Sequence, residues 1–489
     1  MTTIVAPYQE HKILYPDKIA IQTRFETIRY REWGQMVCQT ANWLHSLEGN
    51  TGKIGILMPN GIPFLQLFSG TAMAGLISVP YDVKWKAAEL KQRVTVSSPS
   101  VIVTTETFAK HLKGIDTRII IWEDACEQIL LYPPSWNHEI AGSAPFYMGF
   151  TSGSTGVPKA FVRSHDSWIA SFACNLEDFQ LERAEHVLIP GALIHSHFLY
   201  GAVSTLYSGG SVYLLEKFSP VQTLKWVKTL PITVLYVVPT MIEAIAVKSE
   251  TVEKPIKIIS SGAKWEDDSK RRIQEQFHDV TIFEFYGASE LSYVSVMSSN
   301  DEKGYLPGSV GKPCHNVEIQ IRRENHELAE SGEIGKIYVK SDMFILGYLW
   351  GDSPGIRTIT DADGWATVDD MGYLDKDGFL YIVGREKNMI LYGGVNIFPE
   401  EIEAVLMEHP HVEEAAVIGA SDPYWGQVPV AVIKGKASRR DLKKQCREKL
   451  SAYKLPRKWY FVDEIPHTTS GKIARMRVKE LIENEVNVH

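Results

Sequence analysis

Short, predominantly apolar runs recur along this 489-residue chain. Residues 101–104, 119–122, 146–150 and 256–260 are examples, and segments with helical periodicity lie between such runs. Strands that are buried on both faces of a parallel sheet have this composition, whereas half-exposed strands alternate apolar and polar residues. The pattern therefore predicts an α/β fold with parallel sheets.

The bulk properties limit the class of protein. The chain is too long for one hydrophobic core of the usual size, so we expect two or more domains. A content of 44% hydrophobic and 22% charged residues with a net charge of -8 argues against disorder and against a general nucleic-acid binder. Five scattered cysteines predict neither a disulfide framework nor a zinc site. Because no signal sequence or membrane-length apolar run is evident, we expect a cytoplasmic protein without a membrane span.

A polar segment directly after the run 146–150 has the chemistry of a phosphate-binding loop. Its hydroxyls, glycines and lysine are Thr151, Ser152, Gly153, Ser154, Thr155, Gly156 and Lys159. The glycines let the backbone approach an anion, the hydroxyls donate hydrogen bonds, and the lysine supplies positive charge. The segment differs from the Walker loop, because Pro158 and Ala160 replace its second glycine and its hydroxyl. A polar surface turn is the alternative interpretation.

Three further motifs follow in order: Tyr286-Gly-Ala-Ser-Glu290, Gly384-Arg-Glu-Lys-Asn388 and Thr469-Ser-Gly-Lys472. With the loop, they resemble the adenylate-forming enzymes, a family that includes acyl-CoA synthetases, beetle-type luciferases and the adenylation domains of peptide synthetases. The resemblance covers residues from about 16 to about 475, and it is strongest to the acyl-CoA synthetases.

The resemblance implies a large layered domain at residues 1–384, with parallel sheets and a β-rich third part that includes residues 332–339 and 344–348. A small mobile α/β lid would follow at residues 385–489, with a hinge near Lys387. Within the lid, Ser438 with Asp441 three residues later predicts the capped start of a helix that runs from Arg439 to about Ala452.

The family resemblance implies an ATP-dependent acid–thiol ligase. A carboxylate would attack the α-phosphate of ATP to give acyl-AMP and pyrophosphate, and the thiol of coenzyme A would then displace AMP. Loading of a carrier-protein phosphopantetheine is one alternative, and a catalytically silent nucleotide-binding homologue is another. The resemblance makes ATP, Mg²⁺, coenzyme A and a carboxylic acid the expected ligands. The sequence leaves both monomer and homodimer open.

The nucleotide site implied by the resemblance draws on both the loop and two later strand ends. Glu290 and Thr151 are the expected Mg²⁺ ligands, and carboxylate oxygen suits that hard cation. Tyr286 offers a flat face to adenine and Ser289 a hydroxyl to the α-phosphate. The other nucleotide-binding candidates at these strand ends are Ser261, Gly262, Ala263, Glu284, Phe285 and Gly287.

Further site residues are expected near and beyond the proposed hinge. Asp370 is the expected ribose ligand, although Asp369 stands where the family has glycine, so either carboxylate remains open. The resemblance assigns Arg385 to the ribose and phosphate and Lys472 to catalysis. It gives the glycine pair Gly393 and Gly394 to the pantetheine arm.

Two histidines lie in the segment 194–201, and one of them is expected to gate the acyl pocket. The family spacing favours His195 as a catalytic-site residue, with His197 as the alternative; a buried structural histidine or a weak metal site are other interpretations. The pocket candidates are largely apolar, which suits an aliphatic or aryl acid: Phe198, Leu199, Val238, Met241 and Tyr293. The His-Ser-His sequence also resembles the His-Thr-His of malonyl-CoA synthetases, so a small diacid stays open.

Overall fold

The structure is a computed structural model that describes residues 2–47, 52–151, 159–247, 250–262, 265, 267–301, 306–349, 355–392, 395–468 and 471–486. It contains two compact units. The first is formed by Met1–Thr151, Pro158–Glu318 and Val339–Ala366, and the second includes Ile319–Tyr338 and Thr367–His489.

The strands, in chain order, are β1 (Ile19–Gln22), β2 (Thr27–Arg29), β3 (Lys53–Leu57), β4 (Ile77–Pro80), β5 (Val101–Thr104), β6 (Arg118–Ile121), β7 (Pro145–Thr151), β8 (Lys159–Ser164), β9 (His186–Ile189), β10 (Ser211–Leu214), β11 (Val234–Val237), β12 (Ile256–Ser260), β13 (Val280–Ala288), β14 (Ser292–Ser298), β15 (Lys312–Pro313), β16 (Glu318–Arg322), β17 (Gly335–Lys340), β18 (Gly347–Leu349), β19 (Ile356–Arg357), β20 (Asp370–Leu374), β21 (Leu380–Arg385), β22 (Ile390–Tyr392), β23 (Val395–Ile397), β24 (Val412–Asp422), β25 (Gly426–Gly435) and β26 (Lys458–Phe461).

The helices are α1 (Pro7–Leu14), α2 (Tyr30–Ser46), α3 (Ile62–Met73), α4 (Ala87–Ser97), α5 (Glu106–Ala109), α6 (Trp122–Ile129), α7 (His165–Glu177), α8 (Ser196–Tyr207), α9 (Pro220–Thr229), α10 (Pro239–Ala246), α11 (Asp267–Gln276), α12 (Pro399–Met407), α13 (Arg439–Lys449) and α14 (Arg475–Val486). Short 3₁₀ turns lie at Lys110–Leu112, Glu386–Asn388 and Ala452–Lys454. Among the described residues, no helix is long and apolar enough to cross a bilayer.

Two large sheets form the centre of the first unit. One has the order β15-β14-β13-β12-β11-β9-β10-β1-β2, and the other has the order β19-β18-β8-β7-β4-β3-β5-β6. The central strands of both are parallel. Antiparallel strands lie at three of the four edges, and the fourth edge strand, β6, is parallel to β5. The predicted runs 101–104, 146–150 and 256–260 lie in β5, β7 and β12, and strands such as β5, β10 and β11 are buried along their whole length. The run 119–122 differs from the expectation of burial, because Arg118–Ile121 forms the edge strand β6, in which Ile119 is 38% exposed. The predicted α/β class with parallel sheets is therefore confirmed.

The second unit contains two smaller sheets. One has the order β16-β17-β20-β21, and the other has the order β23-β22-β25-β24 with β26 paired to β25. The first of these contains β17, which the resemblance assigned to the β-rich third part of the large domain, whereas the structure groups residues 319–338 with the second unit. Residues 344–348 were expected in that part, but this expectation is wrong for the strand that begins at Gly347. Strand β18 pairs with β8 in the eight-stranded sheet of the first unit, because its backbone continues that sheet's edge.

Helix α13 illustrates a boundary that local chemistry predicts well. Ser438 accepts a hydrogen bond from the backbone N–H of Asp441 at 3.2 Å and caps the helix, as its sequence pattern predicts. The helix ends at Lys449, short of the predicted end at Ala452, where a 3₁₀ turn begins instead. Leu442 and Cys446 are its buried residues and pack in the apolar core of the unit.

Candidate active site

The predicted phosphate loop connects two antiparallel strands. Thr151, the last residue of β7, lies opposite Lys159, the first residue of β8. Both side chains are half-buried. The loop candidates between them, Ser152, Gly153, Ser154, Thr155 and Gly156, lie outside the described residues. The strand pairing therefore places one hydroxyl and one lysine at the mouth of the loop.

The turn after β13 carries the predicted metal ligand. Ser289 and Glu290 lie between β13 and β14, and the chain reverses direction at Ser292, whose φ of 61° lies in the left-handed region that tight turns use. Gly287 lies so close to the same residue that a Cβ would approach the Ser292 carbonyl oxygen to 2.1 Å. Only glycine fits there, which explains one of the motif's residues by packing alone. Tyr286, Ser289 and Glu290 are half-buried.

Tyr348 brings the predicted lysine and carboxylate together. Its hydroxyl donates a hydrogen bond to Oε1 of Glu290, and the Nζ of Lys159 lies 5.6 Å from the centre of its ring. The backbone N–H of Ile345 also donates to the carbonyl oxygen of Glu290 at 3.0 Å. Lys159, Tyr348 and Glu290 thus form one contiguous polar group at neighbouring strand ends of the first unit.

Arg163 lies beneath this group with only 2% of its surface exposed. Its guanidinium donates to the carbonyl oxygens of Ser289 at 2.7 Å and Met343 at 2.8 Å, and to Oγ of Ser167 at 3.1 Å. Burial lowers the pKa of Arg163 to about 10, while the attraction of Tyr147 and Glu290 acts in the opposite direction. The side chain is therefore a charged donor at pH 7.

Sequence reasoning missed both Tyr348 and Arg163. Tyr348 stood in a segment interpreted as structural. The sequence did contain a signal for Arg163, because this charged residue directly follows the apolar residues 160–162 of a strand and requires a partner if it is buried. That partner was not identifiable from the sequence, because Ser289 is 126 residues away.

The structure describes most of the nucleotide-binding candidates at the ends of β12 and β13. Ser261 donates its hydroxyl to the carbonyl oxygen of Phe285 at 3.1 Å, and Gly262 has a φ of 98°, in the region that favours glycine. Ala263 lies outside the described residues. The carboxylate of Glu284 pairs with the ammonium of Lys270 at 2.5 Å, and both side chains are at most 16% exposed. Glu284 is thus already engaged within the first unit.

Phe285, on β13, packs against one of the two predicted histidines. The rings of Phe285 and His197 are 5.7 Å apart, and Nε2 of His197 lies 2.9 Å from the carbonyl oxygen of Val237. Burial lowers the pKa of His197 to about 4, so the neutral ring donates its Nε2–H to that carbonyl. His195 is exposed at the start of α8, and desolvation by the surrounding protein lowers its pKa. His197 is therefore held in the fold, whereas His195 is accessible.

The predicted pocket residues divide into two groups. Phe198, Leu199 and Tyr293 are 2%, 0% and 4% exposed, and Val238 and Met241 are half-buried. The Tyr293 ring packs against Phe285, with 4.7 Å between ring centres. Of these five residues, Phe198 packs against His197, with 5.0 Å between ring centres.

In the second unit, Asp370 and Arg385 lie directly opposite each other on β20 and β21. The Arg385 Nε lies 2.8 Å from Oδ1 of Asp370, whose side chain is 6% exposed. Asp369 is exposed and has a φ of 62°, a conformation that glycine and aspartate tolerate better than most residues. This backbone requirement explains why aspartate replaces the family's glycine there. Its nearest cation among the described residues is Lys336, at 3.6 Å.

The remaining predicted residues of the second unit lie in turns. Lys387 is exposed in the 3₁₀ turn Glu386–Asn388, and Gly393 and Gly394 lie outside the described residues. Lys472 is exposed in a tight turn in which its carbonyl oxygen accepts from the N–H of Thr468 at 2.7 Å. In the part of the chain that the structure describes, no three His, Cys, Asp or Glu side chains cluster as metal ligands do.

A family model described as AMP-binding enzyme matches residues 9–349, and one described as AMP-binding enzyme C-terminal domain matches residues 401–472. The chain belongs to the AMP-binding enzyme family. An uncharacterized acyl-CoA ligase of Bacillus subtilis strain 168, YhfT, is 49% identical over 99% of both chains. The predicted family and enzyme class are thereby confirmed.

Solved structures of a second relative share the fold. The o-succinylbenzoate CoA synthetase MenE from Bacillus subtilis, in complex with the acyl-adenylate intermediate OSB-AMP, has a TM-score of 0.87 and 26% identity, covering 98% of this chain and 99% of that one. The same protein in complex with ATP and a magnesium ion has a TM-score of 0.86 and 26% identity, covering 96% and 98%. These matches confirm the predicted fold, a large N-terminal α/β domain with a small C-terminal domain.

Proposed function

We propose that this protein activates a carboxylic acid with ATP and transfers the acyl group to coenzyme A. The contact of Lys159 and Glu290 with the ring and the hydroxyl of Tyr348 carries the proposal. A cation and a carboxylate thus lie together at the mouth of a loop rich in hydroxyls and glycines. This combination suits a triphosphate and the divalent cation that accompanies it.

In the first step, a carboxylate oxygen of the acid attacks the α-phosphorus of ATP. The bond from that phosphorus to the bridging oxygen breaks, and pyrophosphate leaves with the bonding electrons. Lys159 and Lys472 supply positive charge to the phosphates, Ser289 donates its hydroxyl to the α-phosphate, and Tyr286 packs against adenine. Positioning and charge neutralisation are the main contributions that a protein makes to such a step.

The residues present fit Mg²⁺ that arrives with the nucleotide. Mg²⁺ is commonly held by one or two carboxylates together with substrate phosphates and waters, so Glu290 with the hydroxyl of Thr151 is a sufficient protein contribution. When bound, the ion neutralises charge on the phosphates. Oε1 of Glu290 accepts from Tyr348, which fixes the orientation in which the carboxylate is presented.

In the second step, the sulfur of the thiol attacks the acyl carbonyl carbon, AMP leaves, and the thiol proton passes to solvent. We assign Asp370 and Arg385 to the ribose and its phosphate, since each already orients the other. Residues 385–489, hinged near Lys387, act as the mobile lid, and Gly393 and Gly394 give the pantetheine arm access to the backbone. The reaction takes place in the cytoplasm; five cysteines without a disulfide suit a reducing compartment.

The test is ATP–pyrophosphate exchange with a panel of short aliphatic, long aliphatic, aryl and small dicarboxylic acids. We expect exchange with at least one class, followed by thioester formation on addition of coenzyme A. Glu290→Gln, which keeps the size of the side chain, should abolish most of the exchange. Nucleotide binding without exchange for every acid would instead support a silent homologue, and acyl transfer only to a phosphopantetheinylated carrier would replace coenzyme A as the acceptor.

A further inference from the structure

The turn that carries Glu290 is held from two sides, by Tyr348 and by Arg163. We propose that these two residues, here called the Glu290 clamp, are positioning residues that set the carboxylate for the metal-bound nucleotide. The inference rests on the proposed function and adds two residues to it. The clamp lies entirely within the first unit.

Tyr348 restrains the side chain of Glu290. Its own position is fixed by the pairing of β18 with β8, in which Tyr348 lies opposite Phe161. From there its hydroxyl donates to Glu290, and Ile345, three residues earlier, donates its backbone N–H to the Glu290 carbonyl at 3.0 Å. One short segment therefore holds both the carboxylate and the backbone of the same residue. Rotation of the carboxylate would break the hydroxyl contact.

Arg163 restrains the backbone of the turn. Its hydrogen bonds to the carbonyl oxygens of Ser289 and Met343 join the turn, strand β8 and the segment that precedes β18. Among the side chains that the structure describes, no carboxylate lies within ion-pairing distance of this guanidinium. A buried charge without a direct counter-ion is unfavourable compared with an apolar side chain of similar volume. We therefore attribute the presence of a buried charge here to its hydrogen bonds, which hold the carbonyl oxygens of Ser289 and Met343 in place.

The clamp also connects the metal ligand to the lysine of the loop. Arg163 lies four residues after Lys159 on β8, and the Tyr348 ring lies beside the Lys159 ammonium. A displacement of β8 next to the loop would therefore also displace Glu290, because both clamp residues connect that strand to the turn. A solely structural role predicts instead that the clamp contributes to folding stability without affecting nucleotide binding.

The experiment compares Tyr348→Phe, which keeps the ring, and Arg163→Lys, which keeps the charge but offers fewer donors. Calorimetric titration gives the affinity for ATP with Mg²⁺ and with EDTA, and the ratio of the two affinities measures how well Glu290 is presented. Groups that orient a metal ligand typically account for about 10- to 100-fold in metal affinity or activity. We expect each variant to reduce the affinity ratio by about tenfold, with the melting temperature of Tyr348→Phe nearly unchanged.

Tyr132→Phe is the matched control, because it removes a tyrosine hydroxyl that contacts Ser46 at 2.8 Å on the surface. It should leave the affinity ratio unchanged. An unchanged ratio in Tyr348→Phe and in folded Arg163→Lys would overturn the proposal, even if both variants melted earlier. If Arg163→Lys does not fold, Tyr348→Phe decides alone. Absence of exchange with every acid would refute the proposed function. The ratio of ATP affinities with Mg²⁺ and with EDTA would still test the Glu290 clamp in that case.

Discussion

His165 should make the first unit sensitive to acid. Its ring is fully buried, stacks on Phe146 with 4.7 Å between ring centres, and accepts the N–H of Ile4 at Nδ1. Among the described residues, Nε2 has no hydrogen-bond partner. Burial lowers the pKa of His165 to about 3, because a charged imidazolium would lose its hydration there.

The size of the effect follows from the difference between folded and unfolded states. The unfolded pKa is about 6.5, so below that pH the unfolded chain binds a proton that the folded protein excludes. A depressed histidine pKa therefore contributes stability above pH 6.5, and this is lost as the pH falls toward 3. Each pH unit below the unfolded pKa removes about 1.4 kcal/mol, so acidification from about pH 7 to pH 5 removes about 2 kcal/mol. The result changes little if the folded pKa is one unit higher.

The assay is urea denaturation of the full chain at pH 7 and pH 5, followed by tryptophan fluorescence. His165→Asn retains an acceptor near the position of Nδ1 but does not titrate, so it should lose about 2 kcal/mol less than the wild type over this interval. Its constant loss of packing on Phe146 cancels in the comparison of the two pH values. His326→Asn is the control, because His326 is exposed and its φ of 67° is one that asparagine tolerates. Equal acid sensitivity of wild type and His165→Asn would refute the reasoning.

Four further predictions concern the reaction. Lys472→Ala should slow adenylation by about 10²- to 10³-fold, or about 3–4 kcal/mol, and spare thioester formation from supplied acyl-AMP; equal loss in both half-reactions would mean a structural lysine. Lys387→Pro should slow thioester formation more than acyl-AMP formation, because a fixed φ restricts the hinge, and equal loss would indicate misfolding. Asp370→Asn should raise the KM for ATP more than Asp369→Asn does, and the reverse order would assign the ribose to Asp369. Residues 434–458 hold 11 basic and two acidic residues, so replacing the basic residues at the start of α13 (Arg439, Arg440, Lys443 and Lys444) by Glu should raise the KM for coenzyme A, most at low salt, without changing pyrophosphate exchange. A KM independent of these charges at every ionic strength would exclude the helix as a coenzyme A surface.

The sequence alone predicted the features that depend on neighbouring residues. Strand β12 and strand β5 have the predicted bounds, because both are mostly apolar and lie inside a parallel sheet, where such runs are buried. The cap at Ser438 was equally predictable, since its hydrogen bond spans only three residues. The family motifs likewise occupy short segments, so the enzyme class could be inferred from the order of residues in the chain.

Tertiary structure decided the contacts that join distant segments. Arg163 reaches Met343 across 180 residues, and Tyr348 reaches Glu290 across 58. Neither pair can be predicted from the sequence pattern, because residues so far apart in the chain meet only when strands from separate segments pair side by side. Strand pairing also explains why two adjacent aspartates have different environments. Asp370 is buried against Arg385 by strand pairing, while Asp369, one residue earlier, occupies a left-handed turn in solvent.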